Sequence, residues 1–114
     1  GLSIIQKIRF SDLVVISPLK KEESLIGRVI SREYRQIFDR KKYPTESETS
    51  KILQDPEKLR RKIIEEAYEL TQALSGNGNV IGEVSDNVYA IVATLVQQGI
   101  GLDEIAKQMT KRQK

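Results

Sequence analysis

Pro56-Glu57-Lys58-Leu59-Arg60-Arg61-Lys62-Ile63-Ile64-Glu65-Glu66-Ala67-Tyr68-Glu69-Leu70-Thr71-Gln72-Ala73-Leu74 carries the clearest helical signal in the chain. Leu59, Ile63, Ala67, Leu70 and Leu74 recur at steps of three or four, so on a helix they form one apolar stripe. Asp55-Pro56 supplies the start, an N-cap acceptor followed by a proline suited to the first helical position. With the stripe centred on Ile63 and about 100° per residue, Glu66 falls near about −60°, Lys62 near about −100°, Glu69 near about −120° and Glu65 near about −160°. Glu66 and Glu69 therefore flank the stripe one turn apart, and Glu65 lies further round.

Downstream, Ser75-Gly76-Asn77-Gly78-Asn79 reads as a loop, and a second helix is expected over 80–98, stopped by Gly99. Its apolar stripe is Ile81, Val84, Val88, Ile91 and Leu95. Glu83 and Asp86 sit one turn apart on its other side, which continues as Ala90, Ala93, Thr94 and Gln97. From Val88 to Val96 this helix is apolar or small nearly all round, a pattern that needs cover from more than one side. A chain this short implies a partner subunit there, a homodimer or a dimer of dimers. A last helix is expected over 102–111.

Upstream, Thr45-Glu46-Ser47-Glu48 fits a capping box with Thr45 as N-cap and Glu48 reaching back, opening a short helix to about Gln54. Ile26, Ile30, Tyr34, Ile37 and Phe38 predict a helix over 20–41, ended by Pro44. Residues 3–17, rich in Ile, Val and Phe, read as short strands or an extended arm ended by Ser17-Pro18. The expected architecture is an all-α bundle of about four helices, a domain over 25–114 behind an extended arm over 1–24, with dimer formation.

The composition narrows the chemistry. The chain has 114 residues and neither cysteine nor histidine, which removes disulfides, thiolate nucleophiles, catalytic imidazole and Cys/His metal sites. Nineteen basic and sixteen acidic side chains give a net charge of +3, too small a bias to imply nucleic-acid binding. No apolar run reaches the roughly 18 residues of a membrane span, and nothing at the start reads as a signal peptide, so no membrane association and a cytoplasmic location are expected.

The four acids on the two central helices then stand out. Carboxylates gathered in a partly buried groove repel one another and are costly to desolvate. Residues 80–98 contain no Lys or Arg to neutralise Glu83 and Asp86. A divalent cation is the simplest compensation, and Mg²⁺ suits an all-oxygen site that also takes phosphate oxygens, with Mn²⁺ as the alternative. The ordinary alternative is a solvated acidic face, and Glu83 in a first turn also suits the helix dipole.

Glu65-Glu66-Ala67-Tyr68-Glu69, a glycine-rich loop and Glu83-Val84-Ser85-Asp86 together resemble the signature of the all-α nucleoside triphosphate pyrophosphohydrolases, the MazG-like superfamily. Within it, Arg40-Lys41-Lys42-Tyr43-Pro44, Ser47-Glu48-Thr49, Lys62-Ile63-Ile64-Glu65-Glu66-Ala67-Tyr68-Glu69-Leu70 and Asp86-Asn87-Val88-Tyr89 look most like the phosphoribosyl-ATP pyrophosphohydrolases of histidine biosynthesis. The resemblance covers about residues 25–112. Two positions depart from it: Glu48 replaces the tyrosine of Ser-Tyr-Thr, and Ala90 replaces the histidine after the family tyrosine.

The resemblance implies Mg²⁺-dependent cleavage of the α–β phosphoanhydride of a nucleotide, releasing pyrophosphate. It implies Glu66, Glu69, Glu83 and Asp86 as metal ligands and Glu65 as outer ligand or water-orienting base. Lys62, Arg40, Lys41, Ser47 and Thr49 are the implied substrate contacts. Lys62 also has the simpler reading of an i,i+4 partner of Glu66, and Ser47 that of an ordinary early-helix residue. Tyr89 is read as packing at a subunit interface, and Arg60 and Arg61 as solvated charges. Two other functions fit the same pattern: a sanitising pyrophosphatase for non-standard nucleoside triphosphates, and a non-catalytic helical dimer serving as a binding module.

Overall fold

A computed structural model describes residues 18–113 of the chain, with side chains from Ser24 onward. Five α-helices follow in order: α1 Pro18–Lys42, α2 Glu48–Gln54, α3 Pro56–Gln72, α4 Val80–Gln98 and α5 Leu102–Arg112. No strand occurs among the described residues, and no helix among them is long and apolar enough to cross a membrane. The strands or arm expected over 3–17 lie outside the described residues. Helix α1 begins at Pro18, so residues 18–24, assigned to the arm by its boundary at 24, belong to a helix.

The chain divides into two compact units, Gly1–Ile30 and Ser31–Lys114. In the first, the described part is the opening half of α1, where the Arg28 guanidinium donates to Ser24 Oγ at 3.1 Å and Leu25, Ile26 and Val29 are exposed.

Each helix boundary in the second unit has a local cause. Asp55 Oδ1 accepts from the backbone N–H of Glu57 (3.1 Å) and Lys58 (3.2 Å), with Pro56 at the first position where its missing N–H costs nothing. Beyond α3 the chain does not fall directly into a loop: Ala73–Asn77 continue as one π-helical turn, closed by Gly76 at φ 92°, a conformation that favours glycine. Asn79 caps α4 by accepting from Gly82 N–H at 3.3 Å. Gly99 at φ 72° ends α4, and Ile100 N–H returns to Leu95 O at 2.8 Å.

The cap of α2 is Ser47, not Thr45. Ser47 Oγ accepts from Ser50 N–H at 3.2 Å, so the helix starts at Glu48. Glu48 therefore occupies the first turn and does not close a box on Thr45. The Thr45 hydroxyl instead bonds Ser47 Oγ (2.8 Å), while Thr45 N–H donates to the wholly buried Ser50 Oγ (2.9 Å).

Helices α3 and α4 form an antiparallel hairpin, and α2 packs across both. The core is Ile37, Ile52, Leu53, Leu59, Ala73, Ala90, Val92, Ala93, Leu95 and Val96. This differs from the expected stripes in an informative way. Of the α3 stripe only Leu59 is buried, while Ile63 is 37% and Leu74 69% exposed. The inward line of α3 is instead Leu59, Lys62, Glu66, Leu70 and Ala73, rotated toward the acidic flank. In α4, Ile81 (83% exposed), Val84 and Ile91 face outward, and the side carrying Ala90 and Ala93 faces in. Small residues let the two backbones approach, so the carboxylates beside them are drawn inward. Ala90, where the resemblance expects histidine, is part of this close packing.

Polar links tie the remaining elements down. Tyr34 OH donates to Ile100 O at 2.8 Å, Lys41 Nζ to Val96 O at 3.0 Å and Gln97 O at 3.3 Å, and Gln97 Nε2 to Ile52 O at 3.1 Å. These carbonyls lie at or just beyond helix C-termini, where side-chain donors add to the few backbone ones.

Candidate active site

At one depth of the α3–α4 hairpin, carboxylate oxygens of Glu66, Glu83 and Asp86 lie within 4.8 Å of one another. Helical spacing sets this up: Glu66 projects from the inward line of α3, and Glu83 and Asp86 from adjacent turns of α4. Asn87 fixes the register between the helices. Its side-chain amide donates to Glu66 O at 3.0 Å and to Glu83 O at 2.7 Å, joining both backbones next to the acids.

Burial makes the cluster unusual. Glu66 is only 5% exposed. Its Oε2 accepts from Lys62 Nζ at 3.1 Å, one helical turn back. Glu66 Oε1 and Glu83 Oε1 are buried with no hydrogen-bond partner among the described residues. Two orphaned anionic oxygens facing one point carry a desolvation cost that a bound cation would remove. The donor set is wholly carboxylate, the chemistry that magnesium or manganese takes.

Glu69 stands next to this trio on the exposed side of α3. Its carboxyl is held above the ordinary range, first by desolvation, then by the negative charges of Glu66, Glu83 and Glu65. Lys62 is pushed the same way for the opposite reason: its hydrogen bond to Glu66, outweighing desolvation, together with the charges of Glu66, Glu65 and Glu48, stabilises the ammonium. The simpler reading of Lys62 as partner of Glu66 is thus realised, at the edge of the cluster. Glu65 is exposed and lines an open hollow of about 270 Å³ with Glu48, Lys58, Arg61 and Lys62.

The remaining expected substrate residues fall in different places. Thr49 Oγ1 lies 2.6 Å from Tyr89 OH, joining α2 to α4. Both residues, with Arg40, line a second cavity, and Tyr89 stands one turn along α4 from Asp86. Ser47 caps α2 and Lys41 caps the end of α4, so both are engaged in holding the fold. Tyr89 and Asn87 were missed as site residues, although their spacing gives a signal. Asn87 is one turn past Glu83, and Tyr89 one turn past Asp86, on the face that carries the acids.

Two antiparallel helices with acids paired across them at one depth, in an all-α frame, are the arrangement that the resemblance to the all-α nucleoside triphosphate pyrophosphohydrolases implies. Comparison with known proteins narrows this. The family model described as phosphoribosyl-ATP pyrophosphohydrolase matches residues 31–113. The chain is 32% identical over 89 residues to a phosphoribosyl-ATP pyrophosphatase of Methanosphaera stadtmanae, covering 74% of this chain and 94% of that one. It is also 32% identical over 89 residues to a protein of the same name from Methanobrevibacter smithii, covering 74% and 93%. A 76-residue stretch is 37% identical to the histidine biosynthesis bifunctional protein his7 of Schizosaccharomyces pombe, covering 66% of this chain and 18% of that protein. No solved structure matches the chain. The chain belongs to the phosphoribosyl-ATP pyrophosphohydrolase family.

Proposed function

We propose that the protein hydrolyses phosphoribosyl-ATP to phosphoribosyl-AMP and pyrophosphate, at the α–β phosphoanhydride, with Mg²⁺ as cofactor. Membership of the family gives the reaction, and the observation that carries the site is the pair of orphaned buried oxygens on Glu66 and Glu83, within reach of Asp86. Glu66, Glu83 and Asp86 would hold the cation, with Glu69 joining from the exposed side. When bound, the cation neutralises phosphate oxygens and lowers the pKa of a water.

The chain's own groups have the following roles. Lys62 orients Glu66 through their ion pair, and its remaining N–H bonds are available to a phosphate oxygen. Glu65, exposed at the rim, accepts the proton as water attacks a phosphorus flanking the bridging oxygen. A new P–O bond forms, the bridging P–O bond breaks, and pyrophosphate leaves. Arg40 and Thr49, next to Tyr89, contact the part of the nucleotide that is retained. Such a reaction depends on positioning and charge neutralisation more than on covalent chemistry, in keeping with a site without cysteine or histidine.

The exposed apolar residues belong to the same reading. Ile63, Leu74, Ile81, Val84 and Ile91 lie on the two stripes that the single chain leaves uncovered, and a second copy covers them in a homodimer or a dimer of dimers. The test of substrate is pyrophosphate release over phosphoribosyl-ATP and a panel of standard and non-standard nucleoside triphosphates, each with Mg²⁺ and with EDTA. Metal-dependent turnover of phosphoribosyl-ATP at least about 100-fold better in kcat/KM, about 2.7 kcal/mol, is expected. Better turnover of the other triphosphates would replace this reading with a sanitising one.

A further inference from the structure

The second cavity has a composition of its own. It measures about 350 Å³ and is lined by Glu33, Gln36, Ile37, Asp39, Arg40, Thr49 and Tyr89. That is the low end of the roughly 300–1,000 Å³ of ligand cavities, room for one fragment of a nucleotide. Ile37 and the Tyr89 ring are the apolar side chains of the lining, and the Tyr89 hydroxyl is tied to Thr49, so polar groups dominate the wall and a base would find one ring to stack on. Glu33 and Asp39 outnumber Arg40, so the cavity is poor for a phosphate. Carboxylates accept two hydroxyls at once and suit a vicinal diol.

Position points the same way. Tyr89 is one turn from Asp86 on α4, about 4.5 Å along the axis, so the cavity adjoins the carboxylate cluster. Thr49 and Tyr89 place two hydroxyls at the shared edge. Glu33 is half-buried, and burial alone pushes its carboxyl above the ordinary range.

We infer that this cavity is a ribose subsite, in which Glu33 accepts hydrogen bonds from the vicinal hydroxyls of the ribose bearing the α-phosphate, and the Thr49–Tyr89 pair completes the contact. The inference rests on the proposed nucleotide substrate and names the residues that select its sugar. Glu33 acts in binding and takes no part in bond cleavage, so it separates ribonucleotides from analogues lacking the diol.

The experiment is calorimetric titration of the full chain in EDTA with AMP and with 2′,3′-dideoxy-AMP, for the wild type, Glu33→Gln and Tyr89→Phe. Losing hydrogen bonds to a charged acceptor corresponds to a preference of about tenfold or more for AMP in the wild type. Glu33→Gln should bring that ratio below about threefold, and Tyr89→Phe should lower it part-way, with unchanged circular dichroism. Equal binding of the two ligands by the wild type, no binding of either, or a ratio unmoved by Glu33→Gln would overturn the inference. Pyrophosphate release from phosphoribosyl-ATP, measured on the same wild-type sample, tests the parent reading separately. Turnover with no diol preference sinks only the subsite, and a diol preference without turnover sinks only the assigned substrate.

Discussion

Replacing Glu83 by Gln should stabilise the metal-free protein while removing its response to Mg²⁺. Glu83 has no ion-pair partner among the described residues, and one of its oxygens is buried and unpartnered. Its carboxylate oxygens lie within 4.8 Å of those of Glu66 and Asp86. At that separation two unit charges repel by about 3.5 kcal/mol at an effective dielectric of 20 and by about 0.9 kcal/mol in bulk water. The pair with buried Glu66 lies toward the first figure and the pair with exposed Asp86 toward the second. Lys62 offsets part of the sum, and side-chain relaxation more, leaving about 1–2 kcal/mol. For a domain of this size that is a rise in Tm of roughly 4–12 °C in EDTA. The amide also offers an N–H to the orphaned oxygen of Glu66. Adding Mg²⁺ at about 100 times its Kd should stabilise the wild type by about 2.7 kcal/mol and the variant by little. Thermal unfolding by circular dichroism, with EDTA and with Mg²⁺, reads all four values. A variant less stable than the wild type in EDTA would show that Glu83 does not repel its neighbours, and one equally responsive to Mg²⁺ that it does not hold the ion.

Three other perturbations check separate parts of the account. In EDTA, Glu33 and Glu69 carry folded-state pKa values raised above the usual 4.5, so the folded state binds more protons than the unfolded one. Their contribution to stability is present at about pH 4.5 and is lost as pH rises through the raised values, so Tm in EDTA should climb on mild acidification from neutrality, and Mg²⁺ should flatten the part due to Glu69. Lys41→Met should cost about 1 kcal/mol of stability, as the Gln97 carbonyl loses its side-chain donor and Val96 O keeps only Gly99 N–H, with KM for substrate unchanged; a raised KM at full stability would return Lys41 to the substrate. Ile81→Glu, at a site 83% exposed in the single chain, should shift sedimentation from dimer to monomer, and a wild type that is already monomeric would show that these stripes are not an interface between copies.

Helix limits were legible because they have local causes: Asp55-Pro56 starts α3, Asn79 starts α4 and Gly99 stops it. The acids were legible for the same reason, since three-residue spacing on two helices brings them together. What could not be read was which side of each helix faces in. A helix apolar all round, as α4 is from Val88 to Val96, gives the same periodicity whether Ile91 or Ala93 is inside, and only the close approach of α3 settles it. Glu66 is buried for that reason, in a place a hydrophobicity pattern gives to Ile63. The bonds of Lys41 to the end of α4 could not be read because their carbonyl partners lie about 55 residues away in sequence. Ser47 displaced Thr45 as cap because the hydroxyls of Thr45, Ser47 and Ser50 compete for one turn, and the buried Ser50 decides among them.

With a cation held by Glu66, Glu83 and Asp86, the protein should cleave the α–β phosphoanhydride of phosphoribosyl-ATP and no other bond. Following phosphoribosyl-ATP by ³¹P NMR with the wild-type protein tests this directly. Pyrophosphate and phosphoribosyl-AMP should appear together in equal amounts with Mg²⁺, neither in EDTA, and neither with Asp86→Asn. Orthophosphate as the first product, turnover that persists in EDTA, or an unchanged substrate spectrum with Mg²⁺ would contradict the account.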